Sequence, residues 1–150
     1  MSDFREQALE DLRALAARYG WAVRHVLGNP VSGSAPFSYT VGLTWRGWPE
    51  LVVVGLPKEV AEAFLANAVD AQAQHNPFQP GERTRELTET GDVTFIAAQD
   101  VSGMTTAKEI VGEFSALQLV WPDSAGSYPW DSAYRNASDA QPLLGAPPSP

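Results

Sequence analysis

Apolar and polar positions follow two periods along this chain. Phe4, Ala8, Leu12, Leu15 and Tyr19 recur at helical spacing, Leu9 and Ala16 widen the stripe, and Arg5, Glu6, Glu10, Asp11 and Arg13 take the other side. Asp3 with Glu6 three residues on forms a capping-box pair, and Gly20 suits the position after the last turn. The pattern predicts a first helix whose stripe faces a core; the stripe is also a candidate dimerisation face. Residues 21–27 switch to a period of two, with Trp21, Val23 and His25 on one side and Ala22, Arg24 and Val26 on the other. Residues 28–36, rich in Gly, Pro and Ser, read as a loop. Residues 37–43 alternate again. Phe37, Tyr39, Val41 and Leu43 make an apolar face, while Ser38, Thr40, Gly42 and Thr44 make a small, hydroxylated one whose glycine admits a second backbone or a ligand. Residues 51–54 are apolar without alternation, as in a central strand covered on both faces. The two runs read as a hairpin or neighbouring core strands, joined by residues 44–50 with Trp45, Gly47 and Trp48.

The second half continues the pattern. Pro57 opens a helix that fades near His75, with Val60, Phe64, Ala68 and Ala61, Leu65, Val69 as its buried stripe. After a turn-rich loop, residues 84–87 suggest a short strand or helical turn, and residues 93–99 a strand. Thr105 or Thr106 caps a short helix reaching Glu113. Residues 115–121 form the last strand, with Leu117, Leu119 and Trp121 opposite Ala116, Gln118 and Val120. Gln118 in such a strand needs hydrogen-bond partners. Residues 128–131 read as aromatic–proline packing, residues 141–144 as a segment docking back on the body, and residues 145–150 as a flexible tail. The expectation is an α+β fold in a single domain, residues 1–144, with a mixed or mostly antiparallel sheet of about five strands flanked by two main helices. Strand order stays open.

Composition narrows the classes. Hydrophobic residues make up 44% and charged residues 19%, an ordinary globular balance. The net charge of −8 disfavours binding to phosphate backbones, so nucleic acid is an unlikely partner. With no cysteine there are no disulfides, thiol nucleophiles or Cys-type zinc sites. The N-terminal stretch is charged and amphipathic rather than signal-like, and no apolar run suffices to span a bilayer, so a soluble cytoplasmic protein with no membrane partner is expected. Eight arginines against Lys58 and Lys108, with abundant alanine, suggest a GC-rich bacterial or phage source.

Chemical signals are sparse. His25 and His75 stand far apart and match no ligand spacing, so no metal site is expected. His25 can reach Ser38 or Thr40 from a neighbouring strand, and Asp100, Asp123 or Asp131 would then complete a triad, although no nucleophile-elbow motif is present. Glycine-rich phosphate or dinucleotide fingerprints are absent. Tyr39, Trp45, Trp48, Trp121 and Trp130 can stack on a planar ligand such as a flavin or simply pack. Glu50, after Pro49 at the mouth of a buried strand, can be held by backbone N–H groups as a loop cap, join an ion pair, or serve chemistry. The candidate ligand-binding set is Tyr39, Thr40, Trp48, Glu50, Gln118 and Trp121; the candidate catalytic set is His25, Tyr39, Thr40 and Glu50.

Three segments carry a family resemblance: FSYTVGL with GWPELVVVGLP at residues 37–57, ALQLVWPD with YPWD at 116–131, and QPLL at 141–144. Together they resemble a bacterial family, domain of unknown function 4262, over nearly the whole chain from about Trp21 to Leu144. The resemblance implies a shared fold and carries over no activity. Where the family pattern shows histidine before Pro-Glu, this chain has Trp48. Any chemistry of that histidine has no counterpart here, which points away from an enzyme. The expected function is a non-catalytic ligand- or protein-binding, regulatory module. The alternatives are a small-molecule enzyme or a flavin or nucleotide binder using the hydroxylated strand face, and a toxin-neutralising or defence partner. The cofactor is left open, the partner is an unspecified small molecule or protein, and a homodimer is possible.

Overall fold

The computed structural model describes residues 2–29, 31–88 and 91–148, without the side chains of Ser2 and Asp3. The capping pair expected of Asp3 therefore lies outside the described residues. In chain order the elements are α1 (Ser2–Tyr19), β1 (Ala22–Val26), β2 (Phe37–Val41), a 3-10 helix (Leu43–Arg46), β3 (Glu50–Val54), α2 (Lys58–Gln74), β4 (Arg83–Thr84), β5 (Val93–Ala97), α3 (Thr105–Val111) and β6 (Ala116–Val120). The six strands form one sheet in the order β1-β2-β3-β6-β5-β4. Only β3 and β6 pair in parallel; the other neighbours are antiparallel. The fold is α+β with a mixed sheet. The sixth strand, β4, is a two-residue edge piece too short to show a period.

The unalternating run of β3 lies at the centre, every residue buried. One sheet face packs Leu51, Val53, Phe95, Leu117 and Leu119 against Ala61, Leu65, Ala68 and Val69 of α2. The opposite face packs Tyr39, Val41, Val52 and Val54 against Met104 and Ala107 at α3, with Leu12 of α1 alongside. Burying a large aliphatic side chain in either layer contributes about 1.5–3 kcal/mol.

Helix orientation departs from expectation at two places. Leu9 and Leu12 of α1 are half-buried and Ala16 is buried, but Phe4, Leu15 and Tyr19 are 89%, 47% and 60% exposed. The helix rests on edge strand β1 and the short α3, which together offer too narrow a surface to cover the whole stripe. In α2 the inward row is Ala61, Leu65, Ala68, Val69 and Gln72, which leaves Val60 exposed. At α3 neither threonine caps through its side chain; Tyr39 Oη accepts the Thr106 N–H at 3.2 Å instead.

Segment 116–144 closes the sheet through two glutamines. Gln118 Nε2 donates to Pro142 O (2.9 Å), while its Oε1 accepts the Leu144 N–H (2.8 Å). Gln141 pairs with the Trp121 backbone in the same two-way manner, at 2.7 and 3.0 Å. Tyr128 and Trp130 stack at 4.9 Å and pack with Ile96, Val120 and Leu143.

Candidate functional site

The polar centre of the sheet is Glu50, the first residue of β3, with no solvent exposure. Its carboxyl accepts five hydrogen bonds. Thr40 Oγ1 (2.7 Å) and the Leu43 N–H (3.2 Å) donate to Oε1; the Gly42 N–H (3.2 Å), the Thr44 N–H (2.8 Å) and Thr44 Oγ1 donate to Oε2. Local sequence explains the cradle. Val41 ends β2, Gly42 adopts φ 121°, and the 3-10 turn aims three successive N–H groups at one point. A Cβ on Gly42 would stand 2.9 Å from Gly20 O, so the glycine in the hydroxylated face admits the α1–β1 backbone. Thr40 Oγ1 also accepts the Leu51 N–H at 2.9 Å, locking β2 to β3. Five donors on two oxygens fill a carboxylate's acceptor sites. The group is built to hold a turn.

The other residues singled out from sequence occupy separate places. His25 and Ser38 are register partners on β1 and β2, with Nδ1 2.6 Å from Ser38 Oγ. The acid beside His25 is Glu62 of α2, at 3.6 Å from Nε2. None of the three aspartates considered from sequence takes that place. Asp100 binds the Ser102 hydroxyl, Asp123 gathers its own loop, and Asp131 accepts the Tyr128 N–H. Ser38 is 3% exposed beneath α2. Tyr39 points to the opposite sheet face and caps α3, while Gln118 holds the C-terminal segment. Trp121 Nε1 donates to Val54 O at 2.9 Å. Trp48 is half-buried against the α2-side core under the Arg46 guanidinium, which lies 5.3 Å from its ring; neighbouring Trp45 is 50% exposed. Thr40 and Glu50 meet, as do His25 and Ser38, whereas the contacts described for Tyr39, Gln118, Trp48 and Trp121 are made with other groups.

A second carboxylate clamp escaped sequence reading. Asp123 accepts the N–H groups of Ala125 and Ser127 at Oδ1 and of Arg135 at Oδ2, at 2.9, 2.9 and 2.7 Å. The N–H groups of Arg135 and Ser127 above all hold its carboxyl below the ordinary carboxylate value. The available signal was the Asp-Ser-Ala-Gly-Ser turn, whose leading aspartate can accept the N–H groups that follow it. Burial pushes the Tyr128 phenol up. Among the described residues, no group of three or more His, Asp or Glu side chains is arranged to hold a metal ion.

An open concavity lies elsewhere. A groove of about 820 Å³ runs along the exposed side of α1, bounded by β1, the start of α2 and the start of α3. Phe4, Leu12, Leu15 and Val23 give it an apolar wall, and Arg24 and Lys58 give it charge. Sequence reading found the α1 stripe but not the two cations, which are 34 positions apart on different elements.

Among the described residues, no helix is long and apolar enough to cross a membrane. No curated protein and no solved structure matches the chain. The family model described as Domain of unknown function (DUF4262) matches residues 15–135, which include the Glu50 cradle, the whole sheet and the Asp123 clamp. The chain belongs to that family.

Proposed function

We propose that this protein is a non-catalytic binding module whose contact face is the α1 groove. The observation that supports the reading is the contrast between its polar interior and its open surface. Glu50, the most suggestive acid, has every acceptor site occupied by its own turn, while the groove is walled by uncovered apolar side chains of α1. A general base or metal ligand needs a free lone pair facing a cavity; a binding face needs exposed apolar surface with a few polar groups beside it. Native mass spectrometry of protein taken directly from its host should find a bound small molecule. The exposed-site variant Leu15→Gln should lose it at unchanged melting temperature. A bare mass in the wild type, together with turnover on a panel of ester, amide and phosphate substrates that Glu50→Gln abolishes, overturns the reading.

One observation favours a second reading, a small-molecule enzyme: the 2.6 Å contact of His25 with Ser38, with Glu62 beyond. In that reading His25 is the general base and Ser38 the nucleophile. The burial of Ser38 under α2 weighs against it. Esterase activity lost in both His25→Ala and Ser38→Ala, with the fold retained, would replace the binding reading with this one.

A further inference from the structure

Ten cationic side chains serve a chain of net charge −8, and most are engaged. Arg5 pairs with Glu109, Arg13 with Glu10, Arg85 with Asp92 and Lys108 with Glu113. Arg18, Arg46 and Arg83 lie over the rings of Tyr19, Trp48 and Tyr128. Among the described residues, Arg24, Lys58 and Arg135 have neither an ion pair nor a ring; Arg135 lies near Asp123, and the other two line the α1 groove. They reach it from different sides. Arg24 projects from edge strand β1 on the α3 side of the sheet, in register with Tyr39, whereas Lys58 opens α2, which packs on the other side.

The acids of the groove do not outnumber its cations. Arg5 pairs with Glu109, and Asp11, hydrogen-bonded by the neutral Gln7 amide at 2.8 Å, keeps its charge, so the lining holds three cations (Arg5, Arg24 and Lys58) against two carboxylates. His25, also in the lining, is turned to Ser38 and Glu62. Beside the free cations runs the apolar wall. From Phe4 to Leu15 it extends about 16 Å at the helical rise, and Phe4 and Leu15 are 89% and 47% exposed. A volume of about 820 Å³ lies within the range of small-molecule sites.

Taking the groove as the binding face proposed above, we infer that its ligand is an amphipathic monoanion, a carboxylate joined to an elongated apolar body. The carboxylate is placed between Arg24 and Lys58, where charge-assisted hydrogen bonds are strongest. The apolar body lies along Phe4, Leu12 and Leu15, removing their surface from water.

The test uses three probes with one chain length and different heads: decanoate, decanol and decyltrimethylammonium, each below its aggregation concentration. Calorimetry and native mass spectrometry measure their binding to the full chain. Decanoate should bind about tenfold or more tighter than decanol, the scale of one charge-assisted contact, and decyltrimethylammonium should bind weakest. The double variant Arg24→Gln/Lys58→Gln, exposed and outside every hydrogen bond of the fold, should bind decanoate no better than decanol. Decanol binding as tightly as decanoate, or a preference for decanoate that survives in the double variant, overturns the anion assignment and leaves the groove standing. If none of the three binds, or if Leu15→Gln leaves their binding intact, the groove itself is overturned. An acidic amphipathic peptide binding where decanoate does not replaces the small anion with a protein partner.

Discussion

The Glu50 cradle and the α1 groove are opposites built on neighbouring strands. In the cradle a buried carboxyl receives five donors from one five-residue stretch of chain, residues 40–44. In the groove, apolar side chains face outward and two cations find no partner among the described residues. A buried polar group left unpaired costs about 1–3 kcal/mol, so the interior is driven toward complete pairing. At the surface water makes an unpaired charge cheap, so free groups collect there. Chemical suggestiveness and availability are therefore separated in this molecule. The residue type that most resembles a catalyst is closed, and the open region is marked by what its residues lack.

The largest effect should come from breaking the cradle. Glu50→Ala strands three N–H groups and two hydroxyls in the interior and should cost about 3–5 kcal/mol in urea unfolding. A loss under 1 kcal/mol would mean that water replaces the carboxyl and that the cradle is not closed. Gln141→Ala removes both bonds to the Trp121 backbone and should cost about 1–3 kcal/mol. Faster amide exchange at Trp121, next to β6, would distinguish local release of the C-terminal segment from general loosening.

The Asp123 clamp tests whether a carboxyl nearer the surface behaves like the cradle. Its folded-state pKa is lowered, so its contribution is present above the unfolded value, near 4, and is lost as pH falls through the folded value. The melting-temperature gap between wild type and Asp123→Asn should be constant near neutrality and close as the pH is taken below about 4. A gap unchanged into strong acid would show that the clamp's geometry, not its charge, holds the loop. The smallest stability effect belongs to the groove. Leu15→Gln should stay within about 0.5 kcal/mol of wild type while removing ligand binding. A larger loss would show that the side chain belongs to the core.

Much of the architecture was legible because it is local. The period-two alternation of residues 37–43 and the unbroken apolar run of 51–54 correspond to β2 and to the central β3. Gln118 announced its need for partners by lying in an apolar strand, and residues 141–144 supply them. The cradle was half legible: Glu50 follows a proline at a strand mouth, and its donors lie within ten positions. The reach from His25 to Ser38 followed from alternation on adjacent strands. The acid beside them did not, because Glu62 arrives from a helix laid across the sheet. β4, with two residues, has no period to read.

From the sequence alone came which residues alternate, which are apolar, where turns fall, and the resemblance to the family whose model matches the chain. Those properties depend on neighbours within one turn or one strand. Tertiary structure alone decided three things: the parallel pairing of β3 with β6, the face of α1 that stays uncovered, and the presence of Arg24 and Lys58 in the lining of one groove. An amphipathic stripe records that a helix has an apolar side. How much of that side is buried depends on the width of the surface it meets, and edge strand β1 with the short α3 is narrower than the stripe. The uncovered remainder of that stripe is the wall of the groove.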